Sequence, residues 1–345
     1  MDATTLLLLG QDSLISGSIY ALLAVTMVMV FSVTRVLFIP QGEFVTYGAL
    51  TLAALEAGRV PGTAWLLLGV GVVAAVVALF RLRHALTLTT AIRIIITDIG
   101  LPAVMLLIVQ WLAPMKLGLI PEMILTLALV VPLGPFVYRI AFQPLAESSI
   151  LVLLIVAVGV HMGMTGLGLV FFGPEGYQTS AFSETVFDLG IMTVSAQSLW
   201  VVATTAALLI ALYIFFERTV SGKTLRAAAI SRRGARLVGI STDRTGYLAF
   251  TLTALIGAVS GLMIGSLTTI YFDSGFIIGL KGFVAAILGG LNSYPLAAAA
   301  ALLVGTVESF SSYSASAFKE VIVFTIIIPV LFWRSLFSPP TEHHE

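Results

Sequence analysis

The chain has 345 residues, of which 59% are hydrophobic, and it carries 17 basic and 17 acidic residues. A soluble protein of this length would carry about 86 charges, and the mean hydropathy is high, at +1.09. This composition excludes a soluble cytosolic enzyme, a disordered scaffold and a nucleic-acid-binding protein, and it predicts an all-α polytopic membrane protein.

The N-terminus contains no basic residue before the first apolar run, so it lacks the first part of a cleavable signal peptide, and we expect the first span to remain. Crossing a hydrocarbon core about 30 Å thick takes roughly 20 apolar residues in a helix. Five charge-free stretches meet this length, at 13–34, 60–80, 150–172, 198–216 and 246–272. Four weaker stretches contain an ionisable residue or a proline, at 38–57, 94–115, 117–138 and 318–337.

The remaining apolar stretch, 282–307, is interrupted by Gly289, Gly290 and Pro295. Glycine and proline end helices, and the backbone groups that they free must be satisfied inside the protein. The stretch therefore predicts two short apolar segments, one of them a candidate re-entrant or broken helix. The whole sequence predicts about ten or eleven crossings.

Basic residues orient the spans, because lysine and arginine are retained on the cytoplasmic side. Seven of the 17 basic residues lie between positions 218 and 244, which predicts a cytoplasmic loop. With eleven crossings the N-terminus is external, and residues 173–197, which carry acidic but no basic side chains, form an outer loop. Among the other ten basic residues, the same orientation places Arg35, Arg81, Arg83, Arg93 and Arg139 inside, and Arg59 and Lys116 outside.

Ionisable side chains within apolar stretches usually face a cavity, a partner or the membrane interface. Glu43 is expected at a helix start near the surface, and Asp98 at the interface. His161 is the only ionisable residue in its span. It either acts as a proton relay or pore-lining residue, or is a single hydrogen-bonded histidine. Lys281 precedes the broken segment, where its ammonium group could donate a hydrogen bond to a backbone carbonyl. The sequence shows neither metal-ligand spacing nor a Ser-His-Asp arrangement, so we predict no catalytic centre, metal site or cofactor.

A stripe of glycines, Gly257, Gly261 and Gly265, follows one face of the span at 246–272. Small side chains at this spacing let a second helix approach closely, which drives helix association in lipid. The stripe is therefore interpreted as a packing face within this subunit, with a translocation path or a subunit interface as the alternative.

Residues 222–244 have the pattern of two short basic amphipathic helices, with Ser231 capping the second helix and Gly239 ending it. Such a loop either lies against lipid or docks on a cytoplasmic partner. Its apolar residues have no bilayer-length run to join, which favours burial against a protein surface.

This segment resembles the cytoplasmic coupling loop of bacterial ABC importer permeases, specifically of the branched-chain amino acid permease family. Further similar motifs are residues 16–22 (SGSIYAL), Gln41-Gly42-Glu43, Gln143-Pro144-Leu145 and residues 281–290 (KGFVAAILGG). Together they cover residues 13–50 and 139–337. Phe38 and Pro40 depart from the family pattern, which leaves the solute class open.

The resemblance implies a single transmembrane permease domain over 1–345, in the bacterial inner membrane, with no hydrolytic residues of its own. Its partners would be a second permease subunit, two cytoplasmic ATPase subunits, an external solute-binding protein and the lipid bilayer. Residues 60–120 would be an insertion of two extra spans, and 217–245 the coupling loop. The residues expected to dock on the ATPase are Lys223, Arg226, Ala228, Ile230, Arg232, Arg233, Gly234, Arg236, Leu237 and Gly239.

The candidate translocation path consists of the polar and glycine positions within the spans, namely Gln41, Gly42, Glu43, His161, Lys281, Gly289 and Gly290. An alternative function is a stand-alone ion-coupled carrier that uses Glu43, Asp98 or His161. A carrier needs no ATPase dock, so copurification with an ATPase distinguishes the two functions.

Overall fold

The computed structural model describes residues 2–82, 87–188, 190 and 193–337, and Arg83, predicted to be internal, lies outside the described residues. Helices dominate the chain, and the two short strands, β1 (Val186–Asp188) and β2 (Thr193–Ser195), form one antiparallel hairpin. The α-helices in chain order are α1 (Ala3–Thr34), α2 (Gln41–Glu56), α3 (Gly62–Arg81), α4 (Leu88–Ile95), α5 (Leu101–Leu112), α6 (Leu119–Val130), α7 (Leu133–Val137), α8 (Ile150–Phe172), α9 (Ala196–Arg218), α10 (Val220–Ile230), α11 (Arg232–Leu237), α12 (Thr242–Ile264), α13 (Ser274–Leu288), α14 (Tyr294–Ser314), α15 (Lys319–Thr325) and α16 (Ile327–Phe337).

Two of the spans, Leu88–Met115 and Leu119–Leu145, each consist of several consecutive helical segments. A π-helical turn, Ile96–Gly100, joins α4 to α5, and a second one, Tyr138–Phe142, follows α7. In the span Leu119–Leu145, Pro132 interrupts the helix between α6 and α7, because proline removes a backbone donor and clashes with the preceding turn. Short 3₁₀ turns, Ala113–Met115 and Gln143–Leu145, end the two spans.

Within the described residues, eight helical segments are long and apolar enough to cross a membrane. The predicted all-α polytopic membrane fold is therefore confirmed. The count of ten or eleven is reached only by adding α2, α13 and the α15–α16 pair to these eight. At 16 and 15 residues, α2 and α13 are shorter than the roughly 20 residues that an upright crossing needs.

The segment predicted to be broken forms two separate helices. Gly289 ends α13, Gly290 turns the chain with a φ of 85°, and α14 begins at Tyr294. A Cβ on Gly289 would lie 2.5 Å from the Ala297 backbone, so this turn packs tightly against the start of α14. Gly289 and Gly290 therefore shape a helix-to-helix turn.

The centre of the fold is α2, which α12, α13 and α6 surround. Every residue from Gln41 to Ala53 is buried. A helix that is buried on all sides belongs to the interior of a membrane protein, where it needs no polar face. The longest helix, α1, packs along α14 through small residues, with Gly305 against Gly17.

The periphery faces lipid. Only 22% of the apolar window of α8 and of α9 is buried inside the subunit, and most of their exposed residues are apolar, as expected for helices in contact with acyl chains. On the predicted outer side, backbone hydrogen bonds in both directions between Tyr177 and Ile270 tie the loop after α8 to the loop after α12.

Candidate functional site

The start of α2 lies deep within the helical bundle. The Gln41 side-chain amide donates a hydrogen bond of 3.0 Å to the Leu23 backbone carbonyl, and the Thr26 hydroxyl donates one of 3.2 Å to Gln41 Oε1. Leu23 precedes the end of α1 at Thr34 by 11 residues, or about 16 Å of helix. Residues 35–40 therefore return into the bundle before α2 begins. Non-helical backbone is tolerated at this depth only where protein buries it.

Aromatic side chains cover this returning segment. Phe38 is fully buried and contacts the rings of Phe44, Phe142 and Phe250, with centroid distances of 6.0, 5.7 and 4.6 Å. The departure from the family pattern at Phe38 thus places a large ring in an aromatic cluster. We find Phe38 inside the subunit in this conformation.

Glu43 and His161 form a buried pair at the centre of the protein. The Glu43 Oε1 and His161 Nδ1 atoms are 2.9 Å apart, and the Glu43 side chain is 0% exposed. The Thr165 hydroxyl donates a 3.4 Å hydrogen bond to the same carboxylate oxygen. The His161 ring also stacks on Phe276 at 4.3 Å, so the pair links α2, α8 and α13.

The expected position of Glu43 needs a correction. Glu43 does lie in the first turn of α2, but that turn is in the protein interior and not near the surface. Its second oxygen, Oε2, is buried without a hydrogen-bond partner among the described residues. Ionisable side chains buried this deeply in a membrane protein are candidates for ion or proton handling.

Gly42 explains why α2 and α13 meet so closely. A Cβ on Gly42 would overlap the Gly275 carbonyl, and it would lie 2.9 Å from the Gly279 Cα. Both helices therefore need glycine at this contact. Gln41, Gly42 and Glu43 are all buried here, which places them in a packed contact at the start of α2.

Lys281 is the centre of a second buried cluster. Its Nζ atom lies 2.5 Å from Glu308 Oε1 and 3.1 Å from Glu320 Oε1, and the Tyr20 hydroxyl donates a 2.5 Å hydrogen bond to Glu308 Oε2. Lys281 was expected to meet a carbonyl at the broken segment, but its partners are carboxylates on α14 and α15. Lys319 Nζ also lies 3.9 Å from Glu320 Oε1, so the two carboxylates face two ammonium groups.

The Lys281 cluster borders a cavity of about 500 Å³. Glu308 lies on its wall with Asp12, Ser309, Ser312 and Tyr313, on the side of the protein that holds the start of α1. The residues that complete the cluster, Tyr20, Glu308 and Glu320, were not identified as site residues from the sequence. They come from distant helices, and only Tyr20 lay within a recognised motif.

A third ion pair joins the two π-helical turns. Arg139 on the second turn contacts Asp98 on the first, and Asp98 is only 5% exposed. Asp98 was expected at the interface, whereas the structure buries it between α3 and the Arg139 turn. A π-helical turn widens the helix locally and is often found at functional positions.

The glycine stripe faces α2. A Cβ on Gly261 would overlap the Val45 carbonyl, and one on Gly257 would lie 2.8 Å from the Phe44 Cβ. Gly265 follows the end of α12, where a Cβ would lie 3.0 Å from the Thr179 hydroxyl. The close approach of α12 to α2 therefore depends on these glycines.

The predicted coupling loop contains two short helices, each with a side-chain cap. The Thr219 hydroxyl accepts a 2.9 Å hydrogen bond from the Gly222 amide at the start of α10, and the Ser231 hydroxyl accepts one of 3.0 Å from the Gly234 amide at the start of α11. Such caps satisfy amides that the first helical turn leaves unpaired. Gly239 ends the pair with a φ of 82°.

Three arginines fasten this loop to its own subunit. Arg226 donates to Glu217 at 2.7 Å, Arg232 to the Ala146 carbonyl at 2.9 Å, and Arg236 to Glu147 at 2.8 Å. The hydrogen bond from Arg236 lowers the pKa of the Glu147 carboxyl below its ordinary value of 4.5. Arg233 makes no ion pair or hydrogen bond within the described part of the chain, and Lys223 is exposed.

The loop also exposes apolar side chains. Ile230, Leu237 and Val238 are 79%, 88% and 75% exposed. Ala228, by contrast, is 1% exposed and packs in the core of this subunit. It was predicted to contact an ATPase, and that prediction is wrong because the side chain is not accessible to a partner.

These features define a polytopic helical membrane protein of the transport class, with a central buried helix and a loop of two capped short helices. A model of the family described as branched-chain amino acid transport system, permease component, matches residues 11–331. The chain belongs to this family of permease components, and it is a multi-pass protein of the inner membrane.

Individual relatives agree with the family. The high-affinity branched-chain amino acid transport system permease protein LivH of Salmonella typhimurium is 31% identical over 208 residues, which cover 57% of this chain and 67% of the relative. LivH of Escherichia coli is 32% identical over 209 residues, with the same coverage. BraD of Pseudomonas aeruginosa, described as the corresponding permease protein, is 28% identical over 235 residues, covering 65% and 76%.

Among solved structures, PsaBC from Streptococcus pneumoniae in complex with Fab is similar over 97% of this chain and 93% of that chain. The identity is 16% and the TM-score is 0.37, so no assignment follows from this likeness.

Proposed function

We propose that this permease subunit pairs with a second permease subunit and with two cytoplasmic ATPase subunits. In this assembly an external binding protein delivers the solute, and ATP hydrolysis in the ATPase subunits drives its import. The solute would be a branched-chain amino acid or a related small molecule, in keeping with the transport systems for which the relatives are named.

The observation that carries the proposal is the exposed apolar surface of the coupling loop. Ile230, Leu237 and Val238 together form what we call the loop anchor. Fully burying an aliphatic side chain of this size contributes about 1.5–3 kcal/mol, so three exposed ones favour contact with a protein surface. Buried apolar anchors supply most of the affinity in protein interfaces.

The rigidity of the loop supports the same function. Arg226, Arg232 and Arg236 hold the two short helices against α9 and the segment before α8, and the Thr219 and Ser231 hydroxyls cap them. A contact that carries ATPase closure to the spans must be stiff, since a flexible loop would absorb the movement. Arg233 remains available for an acidic group at the rim.

The test is a substitution in the loop anchor. Leu237→Asp places a charge where an apolar side chain would be buried, so we expect loss of ATPase copurification and of ATP-driven solute uptake. Val186→Asp is the matched control, because Val186 is an exposed apolar residue, 59% accessible, on the distant β-hairpin. The control should retain both properties.

Retention of both properties by Leu237→Asp would refute docking through the loop anchor and leave a basic loop that lies against lipid. Gly234→Trp is a less direct test. A Cβ on Gly234 already lies 3.2 Å from the Ser231 hydroxyl that caps α11, so a bulky residue there would disturb the cap as well as the docking surface.

A stand-alone ion-coupled carrier is the second candidate, and the buried Glu43–His161 pair is the observation that favours it. A carrier using this pair would transport solute without ATPase subunits. Uptake by the purified chain alone in liposomes, driven by a proton gradient, would support the carrier; uptake only with ATP and the ATPase subunits would support the importer.

A further inference from the structure

A polar cavity of about 330 Å³ lies where α3, the second π-helical turn and the start of α12 meet. Its wall includes Ala78, Arg81, Arg139, Gln143, Asp243 and Tyr247. The volume falls at the lower end of the range for small-molecule sites, roughly 300–1,000 Å³. The cavity is on the predicted cytoplasmic side, since α3 ends and α12 begins there.

Part of the wall is held in place by its own contacts. Arg139 is anchored by the buried Asp98 across the two π-helical turns, and the Tyr247 hydroxyl donates a 3.0 Å hydrogen bond to Gln143 Oε1. The Gln143 amide nitrogen has no acceptor among the described residues. The anchored side therefore presents a guanidinium edge and an amide donor to the cavity.

The rest of the wall carries opposite charges that have no partner among the described residues. Arg81, at the end of α3, and Asp243, in the first turn of α12, make no hydrogen bond or ion pair with the described part of the chain. Arg81 and Arg139 provide donors for an anionic group, while Asp243 provides an acceptor for an ammonium group. An anion alone would leave Asp243 unmatched, and a cation alone would leave the arginines unmatched.

We propose that this cavity binds a small zwitterion, with its anionic group between Arg81 and Arg139 and its ammonium group on Asp243. Charge-assisted hydrogen bonds are about twice as strong as neutral ones. A ligand that makes both contacts should therefore bind more tightly than a ligand that makes only one of them. Ala78 and Val77 border the space left for an apolar part. The site does not rest on the proposed function, because its ligand needs no ATPase and no transport.

Two sources carry this chemistry at the cytoplasmic face of a membrane. One is a free α-amino acid in the cytosol, and the other is the phosphoethanolamine headgroup of a lipid in the inner leaflet. Both place an ammonium group within a few bonds of an anion, so their binding must be compared directly.

The experiment uses the purified full-length chain in phosphatidylcholine nanodiscs and measures binding by calorimetry. The zwitterionic probes are L-leucine and O-phosphoethanolamine. The controls for single charges are 4-methylpentanoate, which is leucine without its amino group, and 3-methylbutylamine, which is leucine without its carboxylate. We expect at least one zwitterion to bind tenfold more tightly than either control.

Variants locate the binding. Asp243→Asn and Arg81→Gln should each weaken zwitterion binding at least tenfold, and Asp243→Glu should restore most of it. Both side chains are exposed, so their loss should leave the fold intact, as circular dichroism would verify. Arg244→Gln is the matched control, because Arg244 is the adjacent exposed residue and does not line the cavity.

The outcomes separate the sources. Binding of leucine assigns the site to a cytosolic amino acid; binding of phosphoethanolamine alone assigns it to a lipid headgroup. Equal affinity for the single-charge compounds would overturn the proposal. Unchanged zwitterion affinity in Asp243→Asn and Arg81→Gln would also overturn it, since the ligand would then bind elsewhere.

Discussion

Replacing Gly261 tests whether the central helix α2 depends on the glycine stripe of α12. A Cβ at this position would overlap the Val45 carbonyl and lie 3.0 Å from the Ala49 amide nitrogen. Both obstructing atoms are backbone, so no side-chain rotation relieves the overlap. Relief to ordinary contact distance requires α2 to move by about 1 Å or more.

The energetic cost follows from what such a movement breaks. Overpacking alone costs about 1–3 kcal/mol. A shift of α2 also strains the Glu43–His161 contact, whose loss costs about 1.5–3 kcal/mol. It strains the hydrogen bond from Gln41 to Leu23 as well, whose loss costs about 1 kcal/mol. We expect Gly261→Leu to destabilise the fold by about 4–7 kcal/mol, which is most of the stability of a typical domain. Gly261→Ala adds the same overlapping Cβ, so it should also destabilise the fold, at the lower end of this range.

The assay is the yield of folded, monodisperse protein after detergent extraction, together with its thermal unfolding midpoint. Gly163→Leu is the matched control, because it makes the same change on α8, where a Cβ would meet nothing within 4 Å. Leu262, next to the stripe, is unsuitable as a tolerant control since it is 1% exposed and packs against Ile19 and Val201. Equal stability of Gly261→Leu and Gly163→Leu would refute the reasoning.

Two further predictions concern the loop and the topology. Because the folded pKa of Glu147 lies below its unfolded value of 4.5, its pairing with Arg236 stabilises the loop above that pH and is lost as the pH falls through the folded pKa. The protection factors of the α11 amides, which correct for the intrinsic pH dependence of exchange, should therefore fall in acid but not between pH 6 and 8; an equally steep acid response in Arg236→Gln would contradict this. The chain has no cysteine, so an impermeant thiol reagent added outside should label Lys116→Cys and not Arg93→Cys. Labelling of Arg93→Cys from outside would show that the topology is wrong.

The spans were predictable because a bilayer imposes a length and a composition that a single sequence displays. The interruptions at Gly289–Gly290 and the caps at Ser231 and Gly239 were also readable, since glycine and serine act within a few residues of their own position. The predicted limits of the second coupling helix agree with α11 to within one residue.

The buried ion pairs could not be predicted, because their partners lie far apart in the sequence. Asp98 pairs with Arg139, and Lys281 pairs with Glu308 and Glu320, across 27 to 41 positions and between different helices. Each charge alone resembles an interfacial residue or a helix end. Without the partner, the sequence favours the membrane surface, because an isolated charge in hydrocarbon is costly.

The sequence also did not predict that α2 begins deep inside the bundle. Glu43 follows a proline and begins a helix, and these local signals do not distinguish a helix that starts at the membrane surface from one that starts inside the bundle. The returning segment at residues 35–40 is held by Gln41 and by the ring of Phe38, whose contacts come from α1, α12 and the second π-helical turn.

The contact between α1 and α14 has a consequence for biosynthesis. Tyr20 and Glu308 are 288 positions apart in the chain. At the usual 5–20 residues per second, a ribosome would complete α1 roughly 15–60 s before it supplies the carboxylate that Tyr20 binds. During that time the face of α1 that carries Gly17 and Tyr20 must wait in lipid or against a temporary partner. A helix that is synthesised early is thus among the last to reach its final packing, and a nascent chain that stops before α14 leaves that face uncovered.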